Sequence, residues 1–96
     1  MSKNELVKHY VTYDSRDRCI WGSGLTVQES KDDARKYIDD YAQLKGSLVQ
    51  KAQIKRRLVT KPATKRLVDY IDQYGGDIAE NWKLVNGVVT TKNDQK

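Results

Sequence analysis

Hydrophobic and polar residues alternate along the first part of the chain, from Glu5 to Tyr13. Valine, histidine and tyrosine occupy one set of alternate positions, and lysine, tyrosine and threonine the other. This period of two, with many β-branched and aromatic residues, predicts a strand. The polar run Asp14-Ser15-Arg16-Asp17 predicts a turn. Arg18 to Trp21 then predicts the second strand of a hairpin, which we expect Gly22-Ser23-Gly24 to end.

The pattern changes to a helical one after Gly24. Thr26 followed by Glu29 is typical of a capping box, in which each side chain satisfies a free amide of the first turn. Apolar residues then recur at spacings of three and four, as one face of a helix requires: Ala34, Tyr37, Ile38, Tyr41 and Leu44. Gly46 is placed to end this helix in the left-handed conformation.

The segment from Ser47 to Thr60 has the least regular pattern. Gln53 to Thr60 alternates well enough to predict a strand, although Arg56 would then point inward. An edge strand, a bulge or a helical turn over Leu48 to Lys55 remains open. We take the strand as the expectation.

Two further elements follow. Pro62 is expected near the first position of a second helix, where its missing amide costs no hydrogen bond. Its apolar face is formed by Ala63, Leu67, Tyr70, Ile71 and Tyr74, and Gly75-Gly76 would end it. Asn86-Gly87 separates two β-rich runs and predicts a two-residue hairpin turn, because both turn residues need positive φ. Val85 would then face Val88.

The predicted order is β-β-α-β-α-β-β, which indicates a small α+β domain. We expect a mainly antiparallel sheet with both helices on one face, formed by one domain over residues 1–96. Its core would span about residues 5–91, with 92–96 as a flexible tail. The order of the strands in the sheet is not deducible from the pattern.

Composition narrows the class of protein. The chain has 96 residues, 38% of them hydrophobic, and a single cysteine, Cys19, so no intrachain disulfide can form. A reducing compartment suits such a chain. No apolar run approaches the length of a membrane span, and nothing resembles a signal peptide. We therefore expect a cytoplasmic protein with no membrane partner.

Charge is unevenly distributed. The net charge is +5, yet the stretch from Tyr41 to Val68 contains no acidic residue. Its cations define a basic segment, residues 45–66, with no acid of its own to neutralise it. The candidate contacts for a phosphate-bearing or acidic ligand are Lys51, Lys55, Arg56, Arg57, Lys61, Lys65 and Arg66.

The residues that could carry out a reaction are few. His9 is the only histidine, so with Cys19 it cannot complete the usual set of zinc ligands. Both are more often packed residues than reactive ones. Gly22-Ser23-Gly24 before a helix has neither spacing of the phosphate-binding motifs. We expect no catalytic residue, no metal and no cofactor.

One local similarity concerns Val11 to Ile38. A hairpin with Trp21-Gly22, then Thr26, Glu29 and a helix carrying Ala34, resembles the start of the HicB family of antitoxins, with Ser30 where that pattern has alanine. The similarity covers under a third of the chain. It implies a small regulatory or inhibitor-type protein.

Two functions from different classes follow. The first is a non-enzymatic module that contacts nucleic-acid phosphates through the basic segment, without reading sequence, since no helix-turn-helix, zinc-finger or RNA-recognition signature is present. The second is an antitoxin-like or mobile-element-type regulator that binds an acidic protein partner through the basic face or an exposed sheet edge. A solvated charged surface with no specific ligand is the third interpretation. Oligomeric state stays open.

Overall fold

The computed structural model describes residues 9–41, 47–75 and 81–92. These residues form the following elements: β1 (His9–Asp14), β2 (Ile20–Gly24), α1 (Val27–Asp40), α2 (Leu48–Arg56), β3 (Leu58–Ala63), α3 (Lys65–Tyr74), β4 (Trp82–Val85) and β5 (Val88–Thr91). The predictions made for residues 5–8, for Leu44 to Gly46, for Gly76 and for the tail at 93–96 lie outside the described residues. None of the described helices is long and apolar enough to cross a membrane.

The five strands form one sheet in the order β2-β1-β3-β5-β4. The pairs β1–β2, β1–β3 and β4–β5 are antiparallel, while β3 and β5 are parallel and share the single residue pair Ala63–Val89. The predicted small α+β domain with a mainly antiparallel sheet is confirmed.

The first hairpin extends further than expected. Gly22 and Gly24 belong to β2 instead of ending it. A Cβ on Gly22 would lie 2.3 Å from the amide nitrogen of Ala34, and one on Gly24 would lie 2.7 Å from Cβ of Glu29. These glycines therefore allow α1 to pack directly against the backbone of β2, which is a structural role rather than a phosphate-binding one.

Helix α1 begins as predicted. The Thr26 side chain accepts a hydrogen bond from the amide of Glu29 at 3.1 Å, and the Glu29 carboxylate accepts one from the amide of Leu25. The second bond reaches one residue before the cap instead of the cap residue itself. The buried positions are Ser30, Ala34 and Ile38. Successive members of this stripe lie four residues apart, so they face the sheet together.

The strand predicted for residues 53–60 is wrong over its first half. Gln53 to Arg56 continue α2, the alternative that the pattern left open, and β3 begins at Leu58. The backbone amide of Ser15 donates to the carbonyl of Arg57 at 3.0 Å, and β3 pairs with β1 from Leu58 onward. Pairing with β1 therefore determines where the strand begins.

The predicted start of the last helix at Pro62 is also wrong. Pro62 lies in β3, and α3 begins at Lys65 after Thr64, whose side chain accepts a hydrogen bond from the amide of Leu67. A strand tolerates proline where the missing amide faces an unpaired side. Beyond β1, β3 meets only β5, and only at Ala63, among the described residues.

The second hairpin is confirmed in type and register. Asn86 and Gly87 have φ values of 54° and 80°, and Val85 pairs with Val88. Both positive φ values are those of the type I′ turn, which matches the twist of the flanking strands.

The helices lie on opposite faces of the sheet, which corrects the expectation of a single face. Thr12 Oγ1 lies 2.8 Å from Ser30 Oγ of α1. Its neighbour Val11 belongs to a core that includes Leu67 of α3. Successive side chains of a strand point to opposite faces, so α1 and α3 pack on different sides. The main core also contains Tyr13, Ile20, Ala63, Trp82 and Val89.

Candidate functional site

The seven predicted contact residues fall into two groups at the two ends of β3. Lys51, Lys55 and Arg56 lie on α2, followed by Arg57. Lys61 lies in β3, and Lys65 and Arg66 open α3. Six strand residues span about 20 Å. The basic segment is therefore an extended feature rather than one compact cluster.

Two of the lysines attach α2 to the end of α1. Lys51 Nζ donates to the carbonyl of Asp39 and Lys55 Nζ to its carboxylate, both at 2.8 Å. The hydrogen bond from Lys55 is the main reason that the pKa of Asp39 lies below its ordinary value. Lysines are favoured here because the last carbonyls of a helix carry partial negative charge.

Arg57 is held by Asp14, a carboxylate that is 1% exposed. Arg57 Nε donates to Oδ1 at 2.9 Å and Nη2 to Oδ2 at 2.8 Å, while the amides of Arg16 and Asp17 also donate to Oδ1. Burial alone would raise the pKa of Asp14, but these hydrogen bonds outweigh it and leave the pKa lowered. The Arg57 guanidinium therefore fixes the corner between the first hairpin and β3.

Lys65 pairs with an acid on its own helix. Its Nζ lies 2.8 Å from Oδ2 of Asp69, and this hydrogen bond is the main cause of the raised pKa of Lys65. Both side chains are exposed. Such an i,i+4 pair is worth little in water, so an anionic ligand can compete for the lysine.

The expectation that no acid neutralises this segment is wrong for Lys55, Arg57 and Lys65. The acids that do so lie outside the acid-free stretch of sequence. Arg56 and Lys61, in contrast, have no acidic partner within the described residues. The structure thus separates the cations into three roles: structural, paired at the surface, and available.

Sequence reasoning missed Asp14 and Asp39, which determine these roles. The pattern places Asp14 in a turn and gives Asp39 no role. The signal for Asp14 is an aspartate at the first position of a tight turn, where its carboxylate accepts amides two and three residues on. The partnership with Arg57, 43 residues away, has no local signal.

The two residues considered for chemistry both lie in the first hairpin. Cys19 is half-buried before β2 and His9 is half-buried at the start of β1. Across residues 9–41, 47–75 and 81–92, no group of three or more His, Cys, Asp or Glu side chains is placed to hold a metal ion. The amide of Ser23, inside the glycine pair, donates to Oδ2 of Asp33.

Comparison with known proteins finds no matching family model, no matching curated protein and no matching solved structure.

Proposed function

We propose that this protein is a small non-enzymatic binding module that contacts nucleic-acid phosphates through the cations of α2, β3 and α3. The contacts do not depend on base sequence, because cations that meet phosphates read charge and spacing only. We place the protein in the cytoplasm, where a chain with one cysteine and no intrachain disulfide is stable.

The observation that carries this proposal is the character of α2. The helix contains Lys51, Lys55 and Arg56 but no acidic residue, and none of its side chains is fully buried. A helix that contributes so little to the core has another reason to be present on the surface. Arg56, at its exposed end, has no acidic neighbour in the described part of the chain.

The second group of cations supports the same interpretation. Lys61 lies about 10 Å along β3 from its first residue, and Lys65 and Arg66 follow the end of the strand. A nucleic-acid strand has phosphates at intervals short enough to meet both groups at once. Surface pairing of Lys55 and Lys65 with carboxylates lowers their contribution, so we expect Arg56 and Lys61 to matter most among the candidates.

Fluorescence anisotropy with labelled duplex DNA, single-stranded DNA and RNA tests the proposal. We expect binding at about 50 mM salt that weakens about tenfold or more by about 200 mM. Arg56→Gln with Lys61→Gln should weaken binding alike for unrelated sequences. The matched control, Lys31→Gln with Lys83→Gln, removes the same charge elsewhere. Lack of binding at low salt, or equal weakening by both pairs, contradicts the proposal.

A second candidate function is a regulator that binds a protein partner by strand addition. β4 is an edge strand on which Leu84 and Val85 are 44% and 43% exposed. At the opposite edge, by contrast, the backbone amide of Ser23 in β2 already donates a hydrogen bond to Asp33. An exposed apolar edge is suited to pairing with another chain.

The two candidates are separated by nuclease treatment followed by affinity capture. A protein partner that stays bound after nuclease, and is lost from Leu84→Lys, favours strand addition. A partner lost on nuclease treatment and retained by Leu84→Lys favours the nucleic-acid proposal.

A further inference from the structure

A cleft of about 700 Å³ lies beside β2. One wall is formed by Asp33 and Tyr37 of α1 with Tyr41, the residue that follows this helix, and another by Ile71 and Asp72 of α3. Trp21 of β2 and Ile54 of α2 also line it. Its size is that of a small-molecule site.

The cleft has an aromatic wall. Trp21 and Tyr41 meet edge to face, with ring centroids 5.3 Å apart and an interplanar angle of 83°. Tyr37, in the last turn of α1, is 59% exposed and also lines the cleft. Aromatic rings carry negative charge on their faces, and three of them around one space attract a cation that is weakly hydrated.

The charge of the lining is opposite to that of the molecule. The chain carries a net charge of +5, yet Asp33 and Asp72 line the cleft and, among the residues that the structure describes, no lysine or arginine does. Oδ2 of Asp33 accepts a hydrogen bond from the amide of Ser23. Asp72 is exposed, without a cationic partner in the described residues. The lining thus combines apolar surface with two anionic groups.

One polar atom of the lining residues lacks a partner. Nε1 of Trp21 is buried and makes no hydrogen bond. Buried donors are nearly always paired, so the indole of Trp21 is incompletely satisfied in the ligand-free protein.

From these features we propose that the cleft binds a small organic ammonium ion, alkylated at nitrogen. The rings of Trp21, Tyr37 and Tyr41 contact its alkyl groups, while Asp33 and Asp72 balance its charge. This site is independent of the polyanion-binding surface, because it recognises the opposite charge through different residues. Between residues 47 and 66, the part of the basic segment that the structure describes, only the apolar Ile54 lines it.

Titration with choline and tetramethylammonium, followed by the indole N–H signals in two-dimensional NMR, tests the proposal directly. We expect saturable shifts of the Trp21 signal with either cation, and an unchanged signal from buried Trp82. The neutral analogue 3,3-dimethylbutanol, which has the same shape without the charge, should bind at least about fivefold more weakly.

Asp72→Asn and its control separate this site from a general charge effect. We expect Asp72→Asn to weaken choline binding about fivefold or more, and Asp40→Asn, at an exposed position of α1, to leave it unchanged. Far-UV circular dichroism verifies that both variants are folded, and Tyr41→Leu provides a second test of the aromatic wall. Equal binding of the neutral analogue, unchanged affinity in Asp72→Asn, or no shift at about 10 mM choline would overturn the proposal.

Discussion

Arg18 and Trp82 join the two edges of the sheet through reciprocal hydrogen bonds. Arg18 Nη2 donates to the carbonyl of Trp82 at 2.7 Å, and Trp82 Nε1 donates to the carbonyl of Arg18 at 2.9 Å. Arg18 lies two residues before edge strand β2, and Trp82 begins edge strand β4. In a flat sheet, four strand spacings would separate these edges by about 19 Å. The sheet is therefore strongly curled around its core.

This contact makes Trp82 a central residue of the core. Its ring also lies 3.9 Å from the guanidinium carbon of Arg18 and 4.6 Å from the ring centroid of Tyr13. Trp82→Phe should lower the free energy of unfolding by about 2 kcal/mol or more, because it leaves the Arg18 carbonyl unpaired and the core underfilled. Urea denaturation followed by circular dichroism measures it.

Trp21→Phe is the matched control for that experiment. The indole N–H of Trp21 has no partner, so its removal should cost less than about 1 kcal/mol. Equal losses in the two variants would show that Trp82 contributes only its size.

Asp14→Asn should destabilise the protein at neutral pH by about 2–3 kcal/mol, since it removes the negative charge of the carboxylate to which Arg57 donates two hydrogen bonds. The folded state lowers the pKa of Asp14. Its stabilisation is therefore present above the ordinary aspartate pKa, about 3.9, and is lost as the pH falls through the lower, folded value.

Denaturation curves from pH 7 to pH 3 follow this effect. The difference in unfolding free energy between wild type and Asp14→Asn should shrink as the pH falls below about 4. Asp40→Asn, an exposed carboxylate change, should show no such trend. A difference that stays constant over this range is incompatible with the assigned ion pair.

Gly22→Ala should disrupt the contact between β2 and α1. The new methyl group would lie 2.3 Å from a backbone nitrogen of α1, which cannot move without shifting the helix. We expect a loss of at least about 2 kcal/mol in unfolding free energy, or failure to fold. Ser23→Ala, at the adjacent position, keeps the backbone amide that donates a hydrogen bond to Asp33. Its free energy of unfolding should stay within about 0.5 kcal/mol of wild type. A stable Gly22→Ala protein would refute the close packing.

Helix α2 should exchange its backbone amides faster than α1. Two lysines on Asp39 hold it to α1, none of its side chains is fully buried, and exposed ion pairs contribute little. Hydrogen exchange read by mass spectrometry should show residues 52–56 exchanging about tenfold or more faster than residues 34–38. Asp39→Asn should widen this gap and Asp40→Asn should not. Equal protection of the two helices would mean that α2 is held by contacts of another kind.

The elements that could be predicted from the sequence are those with local signals. Asn86-Gly87 determines its hairpin because both residues adopt positive φ, and Thr26 begins α1 through a bond to Glu29. The boundary between α2 and β3 has no such signal. Residues 48–61 contain neither glycine nor proline, and pairing of Leu58 with Asp14 determines where the strand begins.

The candidate site was predictable in its residues but not in their roles. The acid-free run is visible in the sequence, whereas Asp14 and Asp39 reach Arg57 and Lys55 across 43 and 16 residues. Neutralisation of charge is a tertiary property, so composition alone overstates the available cations. The cleft beside β2 had no signal either, because its lining is drawn from four separate elements.

The salt dependence of nucleic-acid binding tests the central claim most directly. Each phosphate contact contributes about 0.9 to the slope of log affinity against log salt on duplex DNA. Arg56→Gln with Lys61→Gln should therefore reduce the slope by nearly two, while Lys31→Gln with Lys83→Gln leaves it as in wild type. A slope unchanged by the first pair, or reduced equally by both, would contradict phosphate binding at this surface.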